Sequence, residues 1–240
     1  MNRQPPKYSV VIPLKNEEEN VDKLIHELET VMNDLSEPWE LICVDDGSTD
    51  DTLAILKQLT AHKKYLRILV FSRNFGQSSA FDAGFKAAQG EFVITLDGDR
   101  QNDPADIPKM IDMIADYDLV CGQRIKRKDP LSKKVTSWLA NKVRRRLCQD
   151  GVKDTGCSLK IYRTKCLHAI KMYHGMHRFL PALFSIAGFR VAEVPVNHRP
   201  RVCGQTKYNF FNRSLNTIAD MLAVRWMRKR HLKYKVETEL

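Results

Sequence analysis

Hydrophobic and polar positions switch between two periods along the first half of the chain. Tyr8-Ser9-Val10-Val11-Ile12 is a short apolar run stopped by Pro13, and it predicts a first strand. Val21, Leu24, Ile25, Leu28, Met32 and Leu35 then recur on one helical face. Glu17, Glu18 and Glu19 stand where a helix amino terminus favours negative charge. The strand pattern returns at Leu41–Val44, Arg67–Phe71, Phe92–Leu96 and Asp118–Gly122. The helix pattern returns at Thr52–Leu59, at Ser78–Gln89 before Gly90, and at Ile107–Ala115. Alternation at this spacing predicts an α/β fold with a mainly parallel sheet flanked by helices.

The second half is less regular. A basic helix is expected over Leu131–Leu147, starting at Pro130, with strands over Ser158–Tyr162 and Arg190–Val196. A last helix is expected over Asn209–Met227, with Phe211, Leu215, Ile218, Leu222 and Trp226 on one side, running into the basic stretch Arg228 to Lys235. There is no internal repeat, low-complexity segment or clear linker. The reading is one domain over 1–208 and a basic amphipathic C-terminal helix and tail over 209–240, suited to a membrane surface.

Charge sharpens that division. The net charge of +10 conceals 12 Lys and Arg against 22 Asp and Glu in residues 1–120, and 27 against 7 in the remainder. An acidic half followed by a basic half suggests two ligand roles, the second for a phosphorylated or anionic partner. No apolar run approaches the roughly 20 residues that span a bilayer. Met1 to Lys7 is polar and leads straight into a strand, so no signal peptide is expected. The six cysteines form no Cys-x-x-Cys pair and read as reduced, buried thiols of a cytosolic protein.

The candidate chemistry lies in two acidic clusters. Asp45-Asp46-Gly47-Ser48 follows the strand Leu41–Val44, and Asp97-Gly98-Asp99 follows Phe92–Leu96. Ligands of open α/β sheets bind outside the carboxyl ends of strands, so both clusters are expected on one edge. Carboxylates gathered there repel unless a hard cation or a hydrogen-bonding ligand sits between them, and a divalent metal holding a diphosphate fits that need. Asp97, Asp99 and Gln101 alternate along the chain and can converge on one ion, and oxygen ligands select Mg²⁺ or Mn²⁺. Ser48-x-x-Asp51 also reads as a helix capping box, which needs neither Asp45 nor Asp46. Cys166, His168, His174 and His177 match no common zinc spacing.

Three motifs in order carry a resemblance: Val10-Val11-Ile12-Pro13-x-x-Asn16-Glu17, Val44-Asp45-Asp46-Gly47-Ser48-x-Asp50 and Asp97-Gly98-Asp99-x-Gln101. Together they resemble glycosyltransferase family 2, with its GT-A (Rossmann-like) nucleotide-sugar-binding fold, over about Tyr8 to Tyr208. Gly122-Gln123-Arg124, Asp154-Thr155-Gly156-Cys157 and Arg201-x-x-Gly204-x-Thr206-Lys207-Tyr208 are similar to the dolichol-phosphate mannose synthase and undecaprenyl-phosphate branch. The resemblance implies a metal-dependent, inverting transfer from a GDP- or UDP-sugar to a polyprenyl phosphate by a peripheral enzyme at the cytoplasmic membrane face. It also allows a membrane-anchoring subunit.

The resemblance implies the residue roles as well. Pro13, Glu17, Asp45, Asp46, Asp97, Gly98 and Arg201 would bind the nucleotide sugar. Asp97, Asp99 and Gln101 would hold the metal, and Asp99, Arg124 and Lys207 would serve catalysis. Arg124 with Lys133 or Lys134 would take the acceptor phosphate, and Arg201 to Tyr208 would close as a lid. Arg100 replaces an apolar residue common at its position. A phosphate nucleophile is already anionic, so the lipid-phosphate reading needs no strong base. A family 2 enzyme with a glycan or protein hydroxyl acceptor would need one, and Asp154 is the carboxylate at hand. A nucleotidyltransferase would need a Gly-rich basic loop after the first strand, which Leu14-Lys15-Asn16-Glu17 is not. A nucleic-acid-binding protein would leave the acidic clusters unexplained, and no nucleic-acid partner is expected.

Overall fold

The computed structural model describes residues 4–125, 142–200, 210–232, 234, 237 and 238. Seven strands form one sheet: β1 (Tyr8–Leu14), β2 (Trp39–Asp45), β3 (Leu66–Val70), β4 (Phe92–Thr95), β5 (Leu119–Arg124), β6 (Lys160–Arg163) and β7 (Val191–Val196). Their order is β3-β2-β1-β4-β6-β5-β7. All pairings are parallel except those of β6, which runs antiparallel to both β4 and β5. The inner strand β1 is covered on both faces and mostly apolar, and its Ser9 hydroxyl donates to Glu40 of β2.

Helices α1 (Val21–Asp34), α2 (Thr52–Thr60) and α4 (Ile107–Ile114) share one core with the sheet, built around Ile12, Leu24, Leu28, Leu41 and Ile94. On the other face α3 (Gln77–Ala87), α6 (Thr164–His168) and α7 (Leu180–Ile186) pack around Val11, Val44, Phe81, Tyr162 and Phe184. Helical residues 142–148 (α5) and α8 (Phe210–Arg230) close a smaller cluster on α7, through Cys148, Phe179, Met221 and Val224.

The α/β architecture and mainly parallel sheet agree with the sequence pattern, and most ends differ by one to four residues. Three features were not in the pattern: the antiparallel β6, and the short helices α6 and α7. The expected capping box is also absent. Asp51 occupies the cap of α2 without a side-chain bond. Asp50 accepts from the Thr52 amide at 3.1 Å instead, and the Ser48 hydroxyl accepts from the Asn16 amide at 3.0 Å. Glu17, Glu18 and Glu19 precede α1, and Asp22 is the acid of its first turn. Leu131–Leu147 was expected as one helix; its residues 142–147 are described and helical, and the remainder lies outside the described residues.

The face of α8 differs from the usual use of an amphipathic helix. Met221 and Val224 face the core, whereas Ile218, Leu222 and Trp226 are 50%, 54% and 63% exposed. The apolar side read from the sequence is therefore solvent-facing where it is described. Cys43, Cys121, Cys148, Cys157 and Cys166 are buried free thiols, as the absence of paired spacing implied.

Candidate functional site

Parallel register carries both acidic clusters to one edge. Leu14 of β1 lies opposite Asp45 of β2, whereas β4 stops at Thr95 opposite Val11. The chain after β4 therefore turns beside the C-terminal end of β1, which β4 does not pair with. Strand order reverses between β1 and β4, which is where open α/β sheets form a ligand crevice. The Asp46 amide donates to Leu14 O at 2.8 Å on one side of that end. Gly98 sits on the other, where a Cβ would lie 2.5 Å from Leu14 Cδ2 and 3.3 Å from Glu17 Cγ. Only glycine permits so close an approach.

The β2 acids hold backbone. Both oxygens of Asp45 accept from the Ser48 amide at 3.3 Å. Asp46 accepts from the Phe75 amide at 2.6 Å and the Gly76 amide at 2.9 Å, which fastens the loop entering α3. The next residue of that loop, Gln77, donates from Nε2 to Asp97 Oδ1 at 2.7 Å. Ser78 Oγ accepts from the Gly175 amide at 3.0 Å and shares a 2.6 Å hydrogen bond with His177 Nδ1. Four consecutive residues thus tie the first acidic cluster to the second, and both to the turn before α7.

Burial pushes the Asp97 carboxyl up, and the neighbouring Asp99 charge adds to that rise. Asp99 Oδ1 accepts from the Gln101 amide at 3.1 Å, closing the turn on itself. Arg100 adopts a left-handed φ of 59° and reaches Glu27 of α1. Arg199 bonds the other Glu27 oxygen at 2.5 Å and Asp103 at 2.7 Å. Burial alone would raise the Glu27 carboxyl, but these two guanidinium groups hold it below the usual range. The Arg100 side chain is therefore an anchor of the acidic turn. Asn102 braces it from the other side, with Oδ1 accepting from Ser158 Oγ at 2.6 Å.

The end of β5 adds a bidentate ion pair. Arg124 Nε and Nη2 donate to the two oxygens of Asp154 at 2.7 and 2.8 Å. A Cβ on Gly156 would stand 2.8 Å from Arg124 Nη2, so glycine leaves the guanidinium its place. Burial would raise the Asp154 carboxyl, yet the bonds and charge of Arg124 outweigh it and hold it below its ordinary value. Lys160, at the start of β6, is buried with its ammonium on the carbonyls of Cys157 and Thr155. Between Asp97, Lys160, Ser158 and His177 lies a cavity of about 100 Å³.

Of the residues named from the sequence, Pro13, Glu17, Asp45, Asp46, Asp97, Gly98, Asp99, Gln101 and Arg124 all lie at this edge. Gln101 turns its Nε2 towards Arg199 O at 3.5 Å. Lys133, Lys134, Arg201 and Lys207, with the rest of the 201–208 segment, lie outside the described residues. Gln77, Ser78, Asn102, Ser158 and Lys160 were not among the site candidates, and His177 figured only in the zinc spacing that matched no common site. No motif marked Gln77, Ser78, Asn102, Ser158 or Lys160; contacts such as Ser78 with His177 and Asn102 with Ser158 join distant parts of the chain.

The donor set fits a divalent cation. Two carboxylates one residue apart face each other's charge, and a hard cation relieves that repulsion. Among the described residues no three His, Cys, Asp or Glu side chains gather as a closed site. An ion here takes its remaining oxygens from elsewhere, as Mg²⁺ does when it binds one or two carboxylates plus substrate phosphates.

A doubly covered, mainly parallel sheet with an acidic crevice at its switch point defines a GT-A type fold. Residues 9–170 match the family model "Glycosyl transferase family 2", and the chain belongs to that family. It is 40% identical over 222 residues to a dodecaprenyl-phosphate galacturonate synthase from Rhizobium johnstonii, covering 90% of this chain and 65% of that protein. It is 37% identical over 216 residues to an undecaprenyl-phosphate 4-deoxy-4-formamido-L-arabinose transferase from Pectobacterium carotovorum, covering 89% and 66%. The chain thus spans just under two thirds of the length of these relatives. In structure it is similar to glucosyl-3-phosphoglycerate synthase from Mycobacterium tuberculosis in complex with Mn²⁺ and UDP-glucose. That likeness has a TM-score of 0.70 at 20% identity, covering 92% of this chain and 79% of that one.

Proposed function

We propose that this chain transfers a sugar from a nucleoside-diphosphate donor to a polyprenyl phosphate, assisted by Mg²⁺ or Mn²⁺. The observation that carries the reading is the meeting of Asp46, Asp97 and Asp99 around the end of β1, opposite Arg124. The two similar proteins named above act on dodecaprenyl and undecaprenyl phosphate, which supports the acceptor class. Asp46 and Glu17 bind the nucleoside side of the donor. Asp97, Asp99 and Gln101 hold the ion, which supplies Lewis-acid stabilisation of the departing diphosphate.

Arg124 orients the acceptor. A guanidinium has five N–H donors, and Asp154 takes two of them, so Arg124 retains donors for a phosphate oxygen. Lys133 or Lys134 joins it, and Arg201 and Lys207 close over the diphosphate. An acceptor phosphate needs no proton removed before it attacks the anomeric carbon. That suits a cleft whose spare carboxylate, Asp154, is held at low pKa by Arg124 and is a poor base. The same observation weighs against a hydroxyl acceptor.

The lipid would be met at a membrane surface. Among the described residues no helix is long and apolar enough to cross a bilayer. Exposed Ile218, Leu222 and Trp226 on α8, with exposed Arg225, Lys229 and Arg230, suit an anionic interface at the cytoplasmic face. The test is incubation of radiolabelled nucleotide sugars with polyprenyl phosphate and, separately, with soluble glycans. Label in the lipid extract only with the polyprenyl phosphate supports the proposal. Label on soluble glycans, with none in lipid, overturns it.

A further inference from the structure

The cavity beside Asp97 has a use that the proposed transfer leaves unassigned. Its lining joins the apolar Phe81, Tyr162 ring and Leu180 with the polar Ser158, Lys160 and His177. A pyranose has the same division, with C–H faces and a hydroxyl edge, and binding pockets commonly pair an apolar lining with a few placed polar groups. The position also fits. Asp97 lines this cavity, and neither Asp46 nor Glu17 does, so a diphosphate held at Asp97 and Asp99 could direct its sugar into the cavity and its nucleoside elsewhere.

His177 is held for a specific presentation. Ser78 Oγ already accepts from the Gly175 amide, so its own proton is available to His177 Nδ1. That bond orients the imidazole, and a sugar hydroxyl, both donor and acceptor, can pair with a ring nitrogen of either tautomer. The neighbour of Ser78 in the same helical turn is Gln77, which holds Asp97. One turn of α3 therefore sets the acid of the diphosphate site and the imidazole of the cavity together. From the other side, Arg178 Nη1 donates to Thr217 Oγ1 of α8 at 3.2 Å, fixing the turn Met176–Phe179 that carries His177.

We propose that His177 is a specificity-determining residue for the transferred sugar, its imidazole hydrogen-bonding the hydroxyl edge of the ring seated in this cavity. The inference rests on the transferase reading. Two substitutions separate recognition from bracing. Asparagine places a polar atom near the position of Nδ1, so His177→Asn keeps the Ser78 bond and withdraws from the cavity. Glutamine reaches towards the position of Nε2, so His177→Gln keeps a polar tip in the cavity.

The experiment measures kcat and KM of wild type and both variants with UDP-glucose, UDP-galactose, UDP-galacturonic acid and GDP-mannose, and the Kd of the free nucleotide of the best donor. His177→Asn is expected to raise the KM of the best donor, or to shrink its preference over the next, by at least about tenfold, equivalent to about 1.4 kcal/mol. Nucleotide Kd should stay within about twofold, and His177→Gln should recover part of the loss. Unchanged KM and preference in His177→Asn would overturn the inference. So would equal losses of nucleotide affinity and thermal stability in both variants, which mean bracing alone. Wild-type protein that transfers from none of these donors would instead overturn the transferase reading beneath it.

Discussion

Arg124 and Asp154 offer a perturbation whose size follows from the structure. Each side chain is 16% exposed, and two parallel N–H···O bonds of 2.7 and 2.8 Å join them. Unit charges about 4 Å apart attract by about 4 kcal/mol at an effective dielectric of about 20. The cost of taking both out of water offsets most of that gain. Removing one partner is different, because the other remains buried and uncompensated, at a cost of about 3–5 kcal/mol for a buried pair. Residual exposure places Asp154→Asn and Arg124→Met near about 3 kcal/mol each, or a Tm loss of roughly 6–12 °C for a chain of this size. The double variant should cost about 2 kcal/mol less than the sum, since neither charge is left behind.

Urea unfolding of the four proteins in the cycle measures this. The pH dependence follows from the lowered Asp154 carboxyl. A depressed folded pKa gives stability that is complete above the unfolded value of about 4 and is lost as pH falls through the folded one. Asp154→Asn should therefore remove part of the acid sensitivity below about pH 4. In transfer assays Arg124→Met should impair acceptor use more than donor binding. Additive single variants, each costing under about 1 kcal/mol, would refute the buried-pair reasoning.

Two further outcomes follow from the same geometry. Gly98→Ala should cost about 1–3 kcal/mol in urea unfolding and weaken nucleotide binding, because the added methyl meets the fully buried Leu14; wild-type stability would show that the acidic turn is not seated there. Binding to anionic vesicles should fall several-fold between about 0.1 and about 1 M salt, as the screening length shrinks from about 10 to about 3 Å. Trp226→Ser should weaken it at every salt concentration; binding indifferent to both changes would remove α8 as the contact.

Much of the fold was legible because parallel strands covered on both faces carry apolar runs, as β1 does at Val10–Ile12, β2 at Leu41–Val44 and β4 at Phe92–Ile94. Acids placed just after such runs have only the sheet edge to occupy, which made Asp45, Asp46, Asp97 and Asp99 readable together. The direction of β6 was not readable, since Lys160–Arg163 is four residues long and strand pattern carries no polarity. The helices α6 and α7, of five and seven residues, are too short to show a period. His177 meets Ser78 across 99 residues and Asn102 meets Ser158 across 56, so no local spacing marks them. Arg100 looked anomalous because its partner, Glu27, lies 73 residues away on α1.

The account turns on Asp99 and Asp97 sharing a cation with a donor diphosphate. Calorimetric titration of UDP and GDP into wild type and Asp99→Ala, with and without Mn²⁺, tests that most directly. For the nucleotide that binds, Mn²⁺ should tighten wild-type affinity at least about tenfold, which is about 1.4 kcal/mol, and should do little for a variant that remains folded. Equal tightening in both proteins, or none in wild type, would contradict it.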